Sequence, residues 1–193
     1  MKSFSACDII VTLFIGGFFL MAKKKNVNLT TVIVAALALV ALIMMFLPAL
    51  SYKSGDTVKN FSTFNALFGK TIREDKVGSR VTYTLAFKFN FVTLLACLFI
   101  LIGLVVSVLN VFGILNNKLI GLVVCILLIV AAVLMLVLCD ITPVVSHDIV
   151  TDKDTVDKFS ALPDAKLGTG AIIAGITAGL AGLVSVWKAA YNK

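Results

Sequence analysis

Residues 29–50 read LTTVIVAALALVALIMMFLPAL, an apolar run without a single charge, and Lys23, Lys24 and Lys25 stand just ahead of it. A helix rises about 1.5 Å per residue, so a run of this length crosses a hydrocarbon core of about 30 Å. Clustered lysines beside a span resist translocation, which predicts that this helix starts on the cytoplasmic side. Working outward, three more runs of spanning character follow at residues 91–115, 119–139 and 167–187. Between the second and third lies only Asn116-Asn117-Lys118, so those two spans form an antiparallel helical hairpin.

Composition agrees with this reading. Hydrophobic residues make up 60% of the 193, and the mean hydropathy of +1.08 is far outside the soluble range. The expectation is one membrane domain whose core is the contact between helices. The formal net charge is +7, but the bases are scattered over loops on both sides, which points to anionic lipid headgroups and not to nucleic acid. Of the four cysteines, Cys97 and Cys125 lie within apolar runs, Cys139 ends one, and Cys7 is alone near the start. No CxxC occurs, so they read as small buried hydrophobes and not as a disulfide framework or a zinc site.

Residues 1–28 form an N-terminal segment whose apolar part, residues 9–20, is too short to span. It fits a signal peptide poorly, since Lys2 is a lone basic residue and Leu20-Met21-Ala22 lacks the small residue that cleavage needs. Met21-Ala22-Lys23 resembles an ordinary protein start, so residues up to Leu20 read as a gene-model extension; an interfacial helix is the alternative.

Pro48 and Tyr52 mark the end of the first span, and residues 51–90 form a first outer loop. There Ser62-Thr63 caps a short helix carrying Phe64, Leu67 and Phe68, which Gly69 ends. Residues 71–76 and 80–90 then flank a turn at Val77-Gly78-Ser79. The second arm alternates, with Val81, Tyr83, Leu85, Phe87 and Phe89 on one face and Thr82, Thr84 and Lys88 on the other. Period two over this length predicts a strand with one covered face. The helix of the same loop, with Phe61, is the expected cover, which leaves Thr82, Thr84 and Lys88 as the candidate outer binding face. Residues 140–166 form a second, acidic outer loop, with a short helix expected over 151–161 because Asp152 and Asp154 suit its first turn.

In the last span, residues 167–187, Ala171, Gly175 and Gly179 recur every four residues, as do Ala174, Ala178 and Gly182. Small residues at this spacing let helices approach closely in lipid, so Ala171, Gly175, Gly179 and Gly182 are the predicted packing positions, with a homo-oligomer seam as the alternative use. Trp187, Lys188 and Tyr191 anchor the end at the interface, and residues 188–193 are a C-terminal tail. Counting bases alone favours the opposite orientation, with ten Lys or Arg on the outer side. Those are interleaved with nine acids, while Lys23 to Lys25 are not, so both termini are expected inside.

No span carries a charge in its middle, which argues against an ion-coupled transporter. The one histidine, His147, stands in the acidic loop near Asp140, Asp148 and Asp152 and reads as a solvated side chain. No phosphate loop, HExxH helix or nucleophile motif is present, so the sequence points to no catalytic residue, cofactor or metal. The fold expected is an all-α membrane protein, a four-transmembrane-helix bundle with a small antiparallel sheet in the first extracellular loop.

This order of spans and loops resembles the claudin-like group of four-helix membrane proteins, which has a sheet-forming first outer loop, a shorter second one and cytoplasmic termini. The resemblance runs from Lys23 onward and is one of topology. The group's first-loop signature of a tryptophan and two cysteines is absent, since the only tryptophan is Trp187, so a junction-forming role is not implied. Small bacterial four-span proteins share the same outline. The expected function is that of a non-enzymatic multi-pass protein of the cell membrane, touching lipid and another membrane or envelope protein through its outer loops. A small channel or accessory transporter subunit is the alternative.

Overall fold

The computed structural model describes residues 29–54, 57–77, 80–114, 118–148 and 153–191. Residues 1–28, 55–56, 78–79, 115–117, 149–152 and 192–193 lie outside them, among them the N-terminal segment, part of each connection read from the sequence at 77–79 and 116–118, and Asp152. Helix α1 (Leu29–Met44) leads into a hairpin of strands β1 (Pro48–Ser54) and β2 (Thr57–Ser62), a short helix α2 (Thr63–Phe68), and a second hairpin of β3 (Thr71–Val77) and β4 (Arg80–Phe87). Helices α3 (Phe91–Val111) and α4 (Lys118–Leu136) follow, then a single turn α5 (Leu138–Ile141) and strands β5 (Pro143–Asp148) and β6 (Lys153–Lys158). A 3-10 turn (Phe159–Ala161) and the two-residue strand β7 (Lys166–Leu167) lead to the last helix, α6 (Thr169–Tyr191).

Among the described residues, three helices are long and apolar enough to cross a membrane: Phe91–Val111, Leu119–Leu136 and Thr169–Trp187. The fourth, α1, is apolar but only 16 residues long as described, about 24 Å at the helical rise. The four pack as a closed ring, α1 on α6, α6 on α4, α4 on α3 and α3 back on α1. The first span was expected to continue to Leu50, but its helix ends at Met44. Residues Met45 to Leu47 close it with tight turns (Met45 N to Leu42 O, 3.3 Å; Leu47 N to Met44 O, 3.1 Å). Pro48 then has no N–H to offer a helix and opens a strand instead. Ala49 and Leu50 are apolar because they are fully buried in that strand, not because they face lipid.

The seven strands make two antiparallel sheets, in the orders β2-β1-β7 and β3-β4-β5-β6. The expected all-α class with one sheet in the first loop is therefore corrected: β5, β6 and β7 come from the second loop and complete both sheets. The helix expected over 151–161 is also overturned, since Lys153–Lys158 is a strand. There Thr155 and Val156 suit a pleated edge, and a ladder to β5 from Pro143–Lys158 to Asp148–Lys153 outweighs a weak local helical bias. The helix read at 63–68 is present. Ser62 caps it, its hydroxyl accepting from Asn65 N, and Gly69 follows at φ +85°.

The two sheets face each other over an aromatic core that continues into the helix bundle. Leu50, Tyr52 and Phe61 from one sheet meet Ile72, Leu85, Phe87 and Val144 from the other. The Phe87 ring is the hub, edge-on to Phe61 at 5.1 Å and tilted against Phe159 at 5.5 Å. Phe159 is fully buried; burying a side chain of this kind is worth about 1.5–3 kcal/mol. The strand face read as covered is thus closed by both loops. Leu85 and Phe87 are buried in it, whereas Phe89 lies past the strand and is exposed.

Two junctions fix this platform to the bundle. Asn90, buried, caps α3 by accepting from Val92 N (3.0 Å) and Thr93 N (3.3 Å), and its amide donates to Ile141 O of α5 (3.0 Å). At the other, Gly168 N donates to Ala49 O at 2.8 Å. A β-carbon on Gly168 would lie 2.5 Å from Pro48 O, so only glycine lets the start of α6 approach the bend after α1.

Candidate functional site

Helix α6 is the centre of the bundle packing. Ala171, Ala174, Ala178 and Ala181 are fully buried. A β-carbon on Gly175 would sit 2.9 Å from Leu136 Cγ, and one on Gly182 2.9 Å from Ile129 Cγ1 and 3.2 Å from Cys125 O. Gly179 is looser, with 3.6 Å to Ala132 Cβ. The face of small residues is thus occupied by α4 and α1 of the same chain. A polar bond also joins α6 to α4, Ser185 Oγ donating to Gly121 O at 2.8 Å.

The candidate binding face read from β4 is the open side of the four-stranded sheet. Side chains directly opposite one another on neighbouring strands share a face. The pairs Glu74–Thr84, Thr84–His147 and His147–Asp154 therefore set one row, Glu74, Thr84, His147 and Asp154, across all four strands. The next row is Thr71, Ala86, Val145 and Val156. Lys88, exposed, lies at the margin, its N–H donating to Pro143 O at 3.1 Å. Thr82 belongs to the same strand, and its side chain is outside the described residues. Sequence reading did not place Glu74, His147 and Asp154 on this face; it took His147 as a solvated loop residue and Asp154 as part of a helix. The β-branched pair Val144-Val145 after Pro143 was the signal available, a weak one because the partner strand was read as a helix.

Within the row, His147 Nδ1 and Asp154 Oδ1 are 2.5 Å apart. On the other side of the same strands Ser146 and Thr155 join their hydroxyls. An acid, a histidine and a hydroxyl residue in series is the order a nucleophilic relay uses. Here it lies on an open sheet in which the central strands β4 and β5 have their backbone groups engaged in ladders on both sides. Such a row suits recognition by hydrogen bonds. Among the described residues no group of His, Cys, Asp and Glu is placed to hold a metal ion.

The exposed edges of this sheet are heavily charged. β6 carries Lys153, Asp154, Asp157 and Lys158, and β3 carries Arg73, Glu74 and Asp75. Charges there oppose pairing with a strand of another chain. Arg73 Nε donates to Asp75 Oδ1 at 2.8 Å. That bond, with a second to Tyr52 of the facing sheet, holds the guanidinium pKa above its ordinary value.

No family model, curated protein or solved structure matches the chain.

Proposed function

We propose that the chain is a four-span protein of the cell membrane, with both termini cytoplasmic, whose two-sheet platform stands outside as an interaction module for another membrane or envelope protein. The observation carrying this is the open face of the four-stranded sheet, with its polar row Glu74, Thr84, His147 and Asp154 held on a rigid support. Both long connections are woven into that support, which is more structure than a tether between spans requires. Support for α1 as the fourth span comes from its place in the ring, packed along α3 and α6. The arrangement of spans and outer loops is the one proposed from the claudin-like resemblance, without its junction-forming role.

A conducting oligomer joined through α6 is less well supported, because the small-residue face of α6 is filled inside the chain. The test is site-specific photo-crosslinking in the native membrane, with a benzophenone side chain placed at Thr84 or at lipid-facing Leu101. A discrete protein adduct from Thr84 and none from Leu101 is the expected result. No adduct from Thr84, together with ion flux through the purified protein in liposomes, would replace this reading with that of a channel.

A further inference from the structure

The geometry points to α2 as a foot embedded in the bilayer, its phenylalanines among lipid acyl chains, and not as part of the water-exposed platform. This rests on the spanning reading given above. The placement of α2 is fixed by two backbone bonds: Thr63 N donates to Met45 O at the end of α1 (3.2 Å), and Asn90 N donates to Leu67 O where α3 begins (3.3 Å). The helix therefore lies across the ends of two membrane helices, at the level where both terminate.

What surrounds it is apolar and open. Phe46 is 67% exposed, Phe68 68%, Phe89 53% and Phe91 61%. Phe46 and Phe64 have ring centroids 4.7 Å apart, and Phe64 stacks on Phe68 at 6.4 Å. A patch of this kind standing in water is unfavourable and marks an interaction surface. Its occupant follows from continuity: the patch runs directly into the exposed apolar face of α3 through Val92, Leu98 and Leu101, the face that meets hydrocarbon. Its aromatic residues are all phenylalanine, without the tryptophan or tyrosine that belts the headgroup level, so it belongs on the acyl side of that level.

Backbone at such a depth must be satisfied within the protein. Several of these groups are: the N–H groups of Met45 to Leu47 close the bend after α1, Met45 O takes the Thr63 N–H, Leu67 O that of Asn90, and Ala49 O that of Gly168. Lys70 and Lys88, exposed just beyond the foot, are placed to reach lipid phosphates while their stems lie along the apolar surface.

The test uses the full chain reconstituted in phosphatidylcholine vesicles with or without lipids brominated on their acyl chains. Trp187→Phe removes the native fluorophore, and a single indole is then introduced as Phe68→Trp, Leu101→Trp or Val156→Trp, all exposed positions. F68W is expected to emit at short wavelength and to lose at least half its intensity to brominated lipid, as does L101W, while V156W emits at long wavelength unquenched. Long-wavelength, unquenched emission from F68W overturns the proposal by placing the foot in water. Short-wavelength emission that bromine does not quench overturns it by showing a protein cover. Equal quenching of V156W overturns it by laying the whole platform on the membrane. If L101W also escapes quenching, the spanning reading itself has failed.

Discussion

The glycines of α6 and its approach allow a graded test of how tightly the bundle is closed. Replacing each by alanine adds one carbon whose surroundings differ from site to site. At Gly179 the new carbon would meet Ala132 Cβ at 3.6 Å, an ordinary contact, so the helical preference for alanine over glycine, about 0.5–1 kcal/mol, is left unopposed. At Gly175 and Gly182 the nearest atoms, at 2.9 Å, are side-chain carbons of Leu136 and Ile129, which can shift. A backbone oxygen at 3.2 Å must also yield a little, so overpacking of about 1–3 kcal/mol outweighs the same helical gain. At Gly168 every near atom is backbone: Pro48 O at 2.5 Å, with Pro48 C and Ala49 C at 2.9 Å. Relief requires moving the chain by about 1 Å, which also strains the Gly168–Ala49 bond, for a total of about 2–4 kcal/mol. Thermal unfolding in detergent, followed with a dye that fluoresces on reaction with Cys97, Cys125 and Cys139 as they are released, reads the series directly. A chain of this size shifts by about 2–4 °C per kcal/mol. Gly179→Ala should melt at or above the parent, Gly175→Ala and Gly182→Ala slightly below it, and Gly168→Ala about 5–15 °C below. Should G168A melt with the parent, or G179A fall furthest, the close approach described here is wrong.

Asn90→Ala removes the cap of α3 and leaves Ile141 O without its donor, so stability should fall by about 2–4 kcal/mol. Asn90→Asp keeps the accepting oxygen and loses only the donated bond; a loss as large as that of the alanine variant would show that the cap contributes little. Phe159→Ala empties the centre of the platform at a cost of about 3–5 kcal/mol. Hydrogen exchange should then accelerate across β4 and β5 while α4 stays protected, and unchanged exchange in those strands would refute the account of their core.

Helices α3, α4 and α6, the capped α2 and the strand Arg80–Phe87 were legible because each depends on local signals: long apolar runs, a Ser62 cap with Gly69 behind it, and strict alternation. What escaped notice depends on partners distant in sequence. Pro48 to Leu50 continue an apolar run, and hydropathy alone does not separate a strand buried under α6 from the last turn of a span. The first hairpin was signalled by Gly55-Asp56 between Tyr52 and Val58 but is short and charged. Strand β6 is exposed along its whole length and has no apolar face to betray it. It exists because β5 offers an edge, and β5 in turn because β4 does. The polar row was partly legible: Thr84 was read from alternation, as was Lys88 at its margin, whereas His147 and Asp154 required the register of three strands.

Strand β1 finds its second neighbour in Lys166–Leu167, with Ser51 Oγ donating to Lys166 O across 115 residues of chain. This pairing has a consequence for biogenesis. A ribosome reaches Lys166 only after α4 has been made, so throughout that interval β1 has a single partner and one open row of backbone groups. Ala49 and Leu50 wait uncovered for the start of α6 over the same period. The two-sheet platform is therefore finished late, and its completion reports that the chain has reached the start of the final helix. A chain stalled or truncated before α6 keeps an unpaired strand edge beside exposed apolar side chains, the surface by which chaperones and proteases recognise unfinished proteins.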